Sequence, residues 1–177
     1  MKKILLFLRS KGACLEGYSW SKQFDEPNVW WSSVERPDWM MWVIGNLVNS
    51  LEIRKRLVLT ACKCARLMLP YIEEGELRPL KAIEAAEKWV NDEESLDNVR
   101  EATDAVYRMS DISDGTAAYA AAYAAHLAFA VYVDIAAYSV AHVMDPRVKE
   151  RCIEIILNDW PDVPNLIADI RLKRSKK

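Results

Sequence analysis

Glycine is scarce in this chain, five residues in 177. That scarcity leaves no loop able to cradle a nucleotide phosphate, and the motifs G-x-x-x-x-G-K, H-E-x-x-H, C-x-x-C and G-x-S-x-G are absent. No metal and no cofactor is expected. Histidine is rarer still, with only His126 and His142. The four cysteines, Cys14, Cys62, Cys64 and Cys152, lack the dense, regular spacing of a disulfide framework. Cys62 and Cys64 fall about 200° apart on a helix, so they face different ways. The expected state is buried free thiols in a reducing compartment, and the expected location is cytoplasmic. No secretory signal is expected either, because the N-terminal apolar run is only Ile4–Leu8, against the usual h-region of roughly 7–15 residues. It reads as a short terminal helix or strand. An excess of one charge is also missing. The net charge of −2 gives no general attraction to nucleic acid, so no direct nucleic-acid binding is expected.

One long uncharged stretch stands out, Gly115 to Val133. Its length approaches a membrane span. Alanine is a weak membrane driver, however, and the stretch carries His126 and three tyrosines, so no membrane association is expected. Residues 115–144 are rich in alanine, the strongest helix former, and Asp134 is their one formal charge. They read as one helix of about 40 Å, capped by Asp114 or Thr116, whose small side chains suit the buried centre of an all-helical protein.

The punctuation around that centre is consistent. Asp38 after Pro37 predicts a capped helix through Trp39–Leu47, and Ser50 predicts another that stops at Pro70. Pro79 marks the first turn of a third, Ser95 the start of a fourth, and Asp145-Pro146 opens one that ends before Pro161. Residues 13–24 read as helical as well. No sustained strict alternation of strand type and no solenoid repeat is present. The prediction is an all-α fold, a single compact bundle of about seven to eight helices over residues 1–170. A basic, flexible tail would follow over 171–177.

Charge is unevenly placed. Between Glu73 and Asp104 there are eleven acids against four bases, a local net of −7, while the tail from Arg171 carries +5. The plain account of the acidic stretch is a solvated helix-hairpin face. The functional account is a landing surface for a basic protein, since clustered carboxylates speed encounter and reject wrong partners. The candidate contact residues are Glu73, Glu74, Glu76, Glu84, Glu87, Asp92, Glu93, Glu94, Asp97 and Glu101. Trp30, Trp31, Trp39 and Trp42 either pin helices onto the core or offer an interface anchor. His126, Asp134, Tyr138 and His142 recur every four or eight residues along the Ala-rich helix. Asp134 lies about 12 Å along the axis from either His, so these positions read first as buried polar groups bonded to neighbouring helices.

Five blocks in order resemble the Ala-rich, all-helical putative immunity protein family of bacterial polymorphic toxin systems. They are Gly12–Gly17 with Trp20 and Phe24, Arg36–Trp39 with Trp42, Arg56–Arg66, Arg78–Trp89, and the Ala-rich run 117–137. The resemblance implies a small cytoplasmic protein that neutralises a toxin by binding it, with no catalytic motif to carry over.

Taken together, the expected function is a non-enzymatic protein-binding inhibitor of immunity type. It would neutralise a basic effector such as a nuclease toxin through the acidic face. One alternative is a phage-encoded anti-defence inhibitor of anti-CRISPR type. Another is a small-ligand binder or enzyme using His126, Asp134, Tyr138 and His142. Self-association into a homo-oligomer is a further possibility that the sequence leaves open.

Overall fold

A computed structural model describes residues 1–108 and 145–170 and, between them, Ala122, Ala124 and His126. Among the described residues every regular element is helical, with nine α-helices, one 3-10 turn and no strand. The all-α reading therefore holds. The expected Ala-rich centre over 115–144, its caps Asp114 or Thr116, and the polar positions Asp134, Tyr138 and His142 lie outside the described residues, as does the tail 171–177. Ala122, Ala124 and His126 are helical, and both alanines are fully buried.

Two compact units are present. The first comprises Met1–Val34 and the chain from Trp160 onward. It holds α1 (Lys2–Ser10), α2 (Leu15–Ser21), α3 (Pro27–Ser32) and α9 (Val163–Asp169). The segment Ile4–Leu8 thus belongs to a helix, with Ile4, Phe7 and Leu8 buried at i, i+3 and i+4. α1 packs on α2 and α9, and α3 packs on α9. Lys3 Nζ donates to the Ala168 carbonyl at 2.6 Å. The Trp31 indole donates to the Trp160 carbonyl at 2.8 Å, and the Trp30 indole to Ser21 Oγ at 2.9 Å. Both rings are buried, so each N–H must find an acceptor inside the protein.

α3 and α9 add to the expected seven or eight helices. Each is only six or seven residues long, too short to show periodicity, although Pro27 and Pro164 stand in their first turns as helix-opening prolines do. One further expectation is corrected here. Cys14 is exposed, not buried, and its sulfur caps α2 by accepting from the Gly17 N–H at 3.3 Å. Cys62, Cys64 and Cys152 are buried as expected.

The second unit spans Glu35–Asp159. Its described helices are α4 (Pro37–Gly45), α5 (Leu51–Arg66), α6 (Arg78–Val90), α7 (Leu96–Tyr107) and α8 (Pro146–Asp159), with a 3-10 turn at Leu69–Tyr71. α5 packs on α4, α6 and α8, and α6 packs on α7. Asp38 does not cap α4. It sits inside the first turn, where the Arg36 guanidinium holds it in two bonds of 2.9 and 2.7 Å. A charged fork two residues away outcompetes a backbone N–H for the carboxylate. Ser50 and Ser95 do cap, accepting from Ile53 N at 3.2 Å and Asn98 N at 3.1 Å. Asp145 opens α8 by accepting from Arg147 N at 2.8 Å. α5 ends at Arg66, and Pro70 falls within the 3-10 turn that follows.

α5 also fastens the end of α8. Arg56 Nε donates to the Asp159 carbonyl at 2.9 Å, satisfying one of the carbonyls that a helix end leaves open. Lys63 Nζ reaches both Asp159 carboxylate oxygens at 2.6 and 2.9 Å, and Thr60 donates to one of them at 2.8 Å. Trp39 and Trp42 lie half-buried on α4, whereas Trp30 and Trp31 are core residues of the first unit and offer no exposed anchor.

Candidate partner-binding surface

The acidic segment folds as a turn followed by the α6–α7 hairpin. α6 exists because Pro79, Ala82, Ile83, Ala86 and Trp89 bury one face at helical spacing. α7 buries Val99, Thr103 and Val106 in the same way. The opposite faces are left to solvent, and they differ in charge. The outward row of α6 alternates Lys81, Glu84 and Lys88, so Glu84 has a cation three residues before it and another four after. The outward row of α7 runs Asp97, Glu101, Asp104 and Arg108, which is acidic over most of its length.

Five of the ten candidate carboxylates are fastened to the protein itself. Glu76 accepts from the Arg78 backbone N–H and Nε, both at 2.9 Å, and these bonds pull its carboxyl down to about 2. Glu87 takes the Arg66 fork in two bonds of 2.8 and 2.6 Å, tying α6 to α5. Asp92 accepts from Lys55 Nζ at 2.6 Å and adopts a left-handed backbone with φ of 62°, a conformation that short polar side chains tolerate. Glu94 accepts from Asn98 Nδ2 at 2.6 Å and Ser95 N at 3.0 Å, which lowers its pKa. Asp97 accepts from Arg100 Nη1 at 3.1 Å.

The other five, Glu73, Glu74, Glu84, Glu93 and Glu101, are exposed and make no ion pair among the described residues. Glu73 and Glu74 project from a turn in which Gly75 takes φ of +88°, and an L side chain would be strained there. Tyr71 and Leu77, each 53% exposed, flank this turn. The Tyr71 hydroxyl donates to Asp145 Oδ2 at 2.8 Å. That bond and the Arg147 fork hold Asp145 well below the usual carboxylate range. An aromatic ring thus stands fixed by its hydroxyl beside exposed carboxylates.

Of the polar stripe, only His126 is described. Its ring meets Tyr107 edge-on at 6.2 Å, and burial lowers its pKa against the opposing pull of Asp104. Asp134, Tyr138 and His142 lie outside the described residues. Among the described residues no three His, Cys, Asp or Glu side chains are placed to hold a metal ion. No described helix is long and apolar enough to cross a membrane.

Sequence reasoning missed the bases of this region as a group. It weighed Arg78 and Lys81 only as offsets to the acids. In the structure they share a groove with Arg108, which becomes visible only once α6 is laid against α7.

Comparison with known proteins gives one match. The family described as Imm-5 like putative immunity protein matches residues 48–143, more than half of the chain, and this includes all of α5, α6 and α7. No curated protein and no solved structure matches the chain.

Proposed function

Because this chain belongs to the Imm-5 like putative immunity protein family, we propose that it binds a basic effector protein, such as a nuclease toxin, and neutralises it by covering its working surface. The contact is made by the acidic turn and hairpin. The observation that carries this reading is the division of the carboxylates. Five are consumed by the fold, and five (Glu73, Glu74, Glu84, Glu93 and Glu101) are exposed with no ion pair among the described residues. Free carboxylates raise the rate of encounter with a positive surface. Tyr71 and Leu77 supply apolar contact beside them, as the centre of a stable interface needs. The protein acts as an inhibitor and not as a catalyst, and it works in the cytoplasm.

The division also decides which residues to change. Reversal at Glu87 or Glu94 would disturb the Arg66 pair or the start of α7 as well as the surface. Reversal at Glu73, Glu74 and Glu93 touches only the surface. The test is capture by the tagged protein from its native host at low salt, with mass spectrometry of what is retained. A basic effector should elute as salt is raised. The variant carrying Glu73→Lys, Glu74→Lys and Glu93→Lys should lose it while melting at the same temperature. Equal capture by that variant would remove the acidic surface from the account.

A further inference from the structure

Between α6 and α7 lies an open groove of about 280 Å³. That is just under the roughly 300–1,000 Å³ of sites for drug-sized ligands. The five residues that α7 contributes are Asn98, Glu101, Ala102, Ala105 and Arg108. Their spacing of three, four, seven and ten places them on one helical face. Arg78 and Lys81 enter from α6. The two helices are joined by the short stretch Asn91–Ser95 and run antiparallel. The start of α6 therefore stands beside the end of α7. The groove is thus polarised. Arg78, Lys81 and Arg108 converge at one end, the methyl groups of Ala102 and Ala105 form the floor, and Glu101 with Asn98 occupies the other end. Glu101 is one helical turn from Ala105, about 6 Å along the axis.

The cations are not all spent. Lys81 and Arg108 are exposed and make no ion pair among the described residues. Arg78 gives Nε and Nη2 to Glu76, which lies outside the groove lining. The lining itself carries three cations against one carboxylate, although Glu73–Asp104, which supplies all of the lining but Ala105 and Arg108, has a net charge of −7. A surface meant only to attract a basic protein has no use for that concentration of positive charge.

We propose that this groove is a binding site for a small phosphate monoester. The dianionic phosphate sits among Arg78, Lys81 and Arg108, the carbon body lies over Ala102 and Ala105, and a hydroxyl or ammonium of the ligand meets Glu101 and Asn98. Guanidinium forks suit phosphate oxygens, and two of the three cations here are arginines. Around the phosphate, Arg78, Lys81 and Arg108 less the Glu76 already paired with Arg78 leave a net of +2, which a phosphate dianion balances and a monocarboxylate does not. The site shares only Glu101 with the partner-binding surface, and Glu73, Glu74 and Glu93, which test that surface, take no part in it.

The test is an amide chemical-shift titration of the whole protein at constant ionic strength, with inorganic phosphate and with phosphoethanolamine. Phosphoethanolamine carries a phosphate and an ammonium two carbons apart. Saturable shifts are expected at Ala102, Ala105 and the first turn of α6, and phosphoethanolamine should bind more tightly. Equal affinity for the two probes would assign the site to inorganic phosphate in place of an ester. Lys81→Gln and Arg108→Gln should each weaken binding by roughly two- to five-fold, the range an exposed charge pair supports. Glu101→Gln should act in opposite directions on the two probes, tightening inorganic phosphate and abolishing the preference for phosphoethanolamine. Non-saturating shifts spread over every exposed Lys and Arg, or shifts unaltered by Lys81→Gln and Arg108→Gln, would overturn the proposal. All three changes are at exposed positions and leave the Glu76–Arg78 pair intact, so an unaltered melting temperature confirms that the fold is retained.

Discussion

The Ser21 hydroxyl serves two neighbours at once. It donates to the Gly17 carbonyl at 2.7 Å and accepts from the Trp30 indole at 2.9 Å. Both Ser21 and Trp30 are buried, so water cannot replace either bond. Ser21→Ala should leave the indole N–H without an acceptor and destabilise the protein by about 1–3 kcal/mol. Urea unfolding followed by tryptophan fluorescence measures this directly, and an unshifted midpoint would mean that Trp30 finds another acceptor. Side-chain partnerships of this kind are where the sequence was least legible. The residue types of the acidic segment could be read, but not which carboxylates were already taken. Arg66 and Glu87 are 21 positions apart, and Lys55 and Asp92 are 37 apart. Only the packing of α5 against the hairpin brings them together. Asp38 failed as a cap for the same reason at short range, because a competing guanidinium stood two residues away.

At the scale of elements the chain was far more legible, because caps and breakers act within a few residues of themselves. Ser50, Ser95, Pro79 and Asp145-Pro146 each open the helix expected of them. What escaped were α3 and α9, whose stability comes from Trp30, Trp31 and Ile167 in the core and not from a long apolar stripe. The start of α6 carries its own pH dependence. Glu76 is pulled from an ordinary 4.5 to about 2 by Arg78. A carboxyl depressed on folding contributes stability that is complete above its unfolded value and is lost as pH falls through its folded value. The Glu76 contribution is therefore present at pH 6 and disappears between about 4.5 and about 2. Glu76→Gln should flatten the acid side of the stability curve over that window, as followed by urea midpoints between neutral pH and pH 2. An identical acid slope in the variant would show that other carboxylates govern it.

For the whole molecule the main electrostatic fact is segregation under a small total. The net charge is only −2, yet 32 consecutive positions, Glu73–Asp104, carry −7. A partner approaching from solution meets that local field and not the average, within a Debye length of about 10 Å at 0.1 M salt. Raising ionic strength should therefore slow association with a captured basic partner strongly while changing dissociation little, which biosensor kinetics at several salt concentrations separate. If dissociation carried the salt dependence instead, tightly desolvated ion pairs would be holding the complex together, and the steering argument would fail.

The unit that joins Met1–Val34 to the chain from Trp160 onward has a consequence in time. Met1–Val34 leave the ribosome well before their core partners Trp160, Val163 and Ile167. The intervening unit, Glu35–Asp159, must be synthesised in between, which at roughly 5–20 residues per second takes about 6–25 s. Through that interval Phe7, Trp30 and Trp31 have no α9 to cover them, and the second unit can gather its own core while the first waits. The nascent chain can thus fold from its middle outward, with Trp30 and Trp31 uncovered during synthesis and buried once α9 arrives.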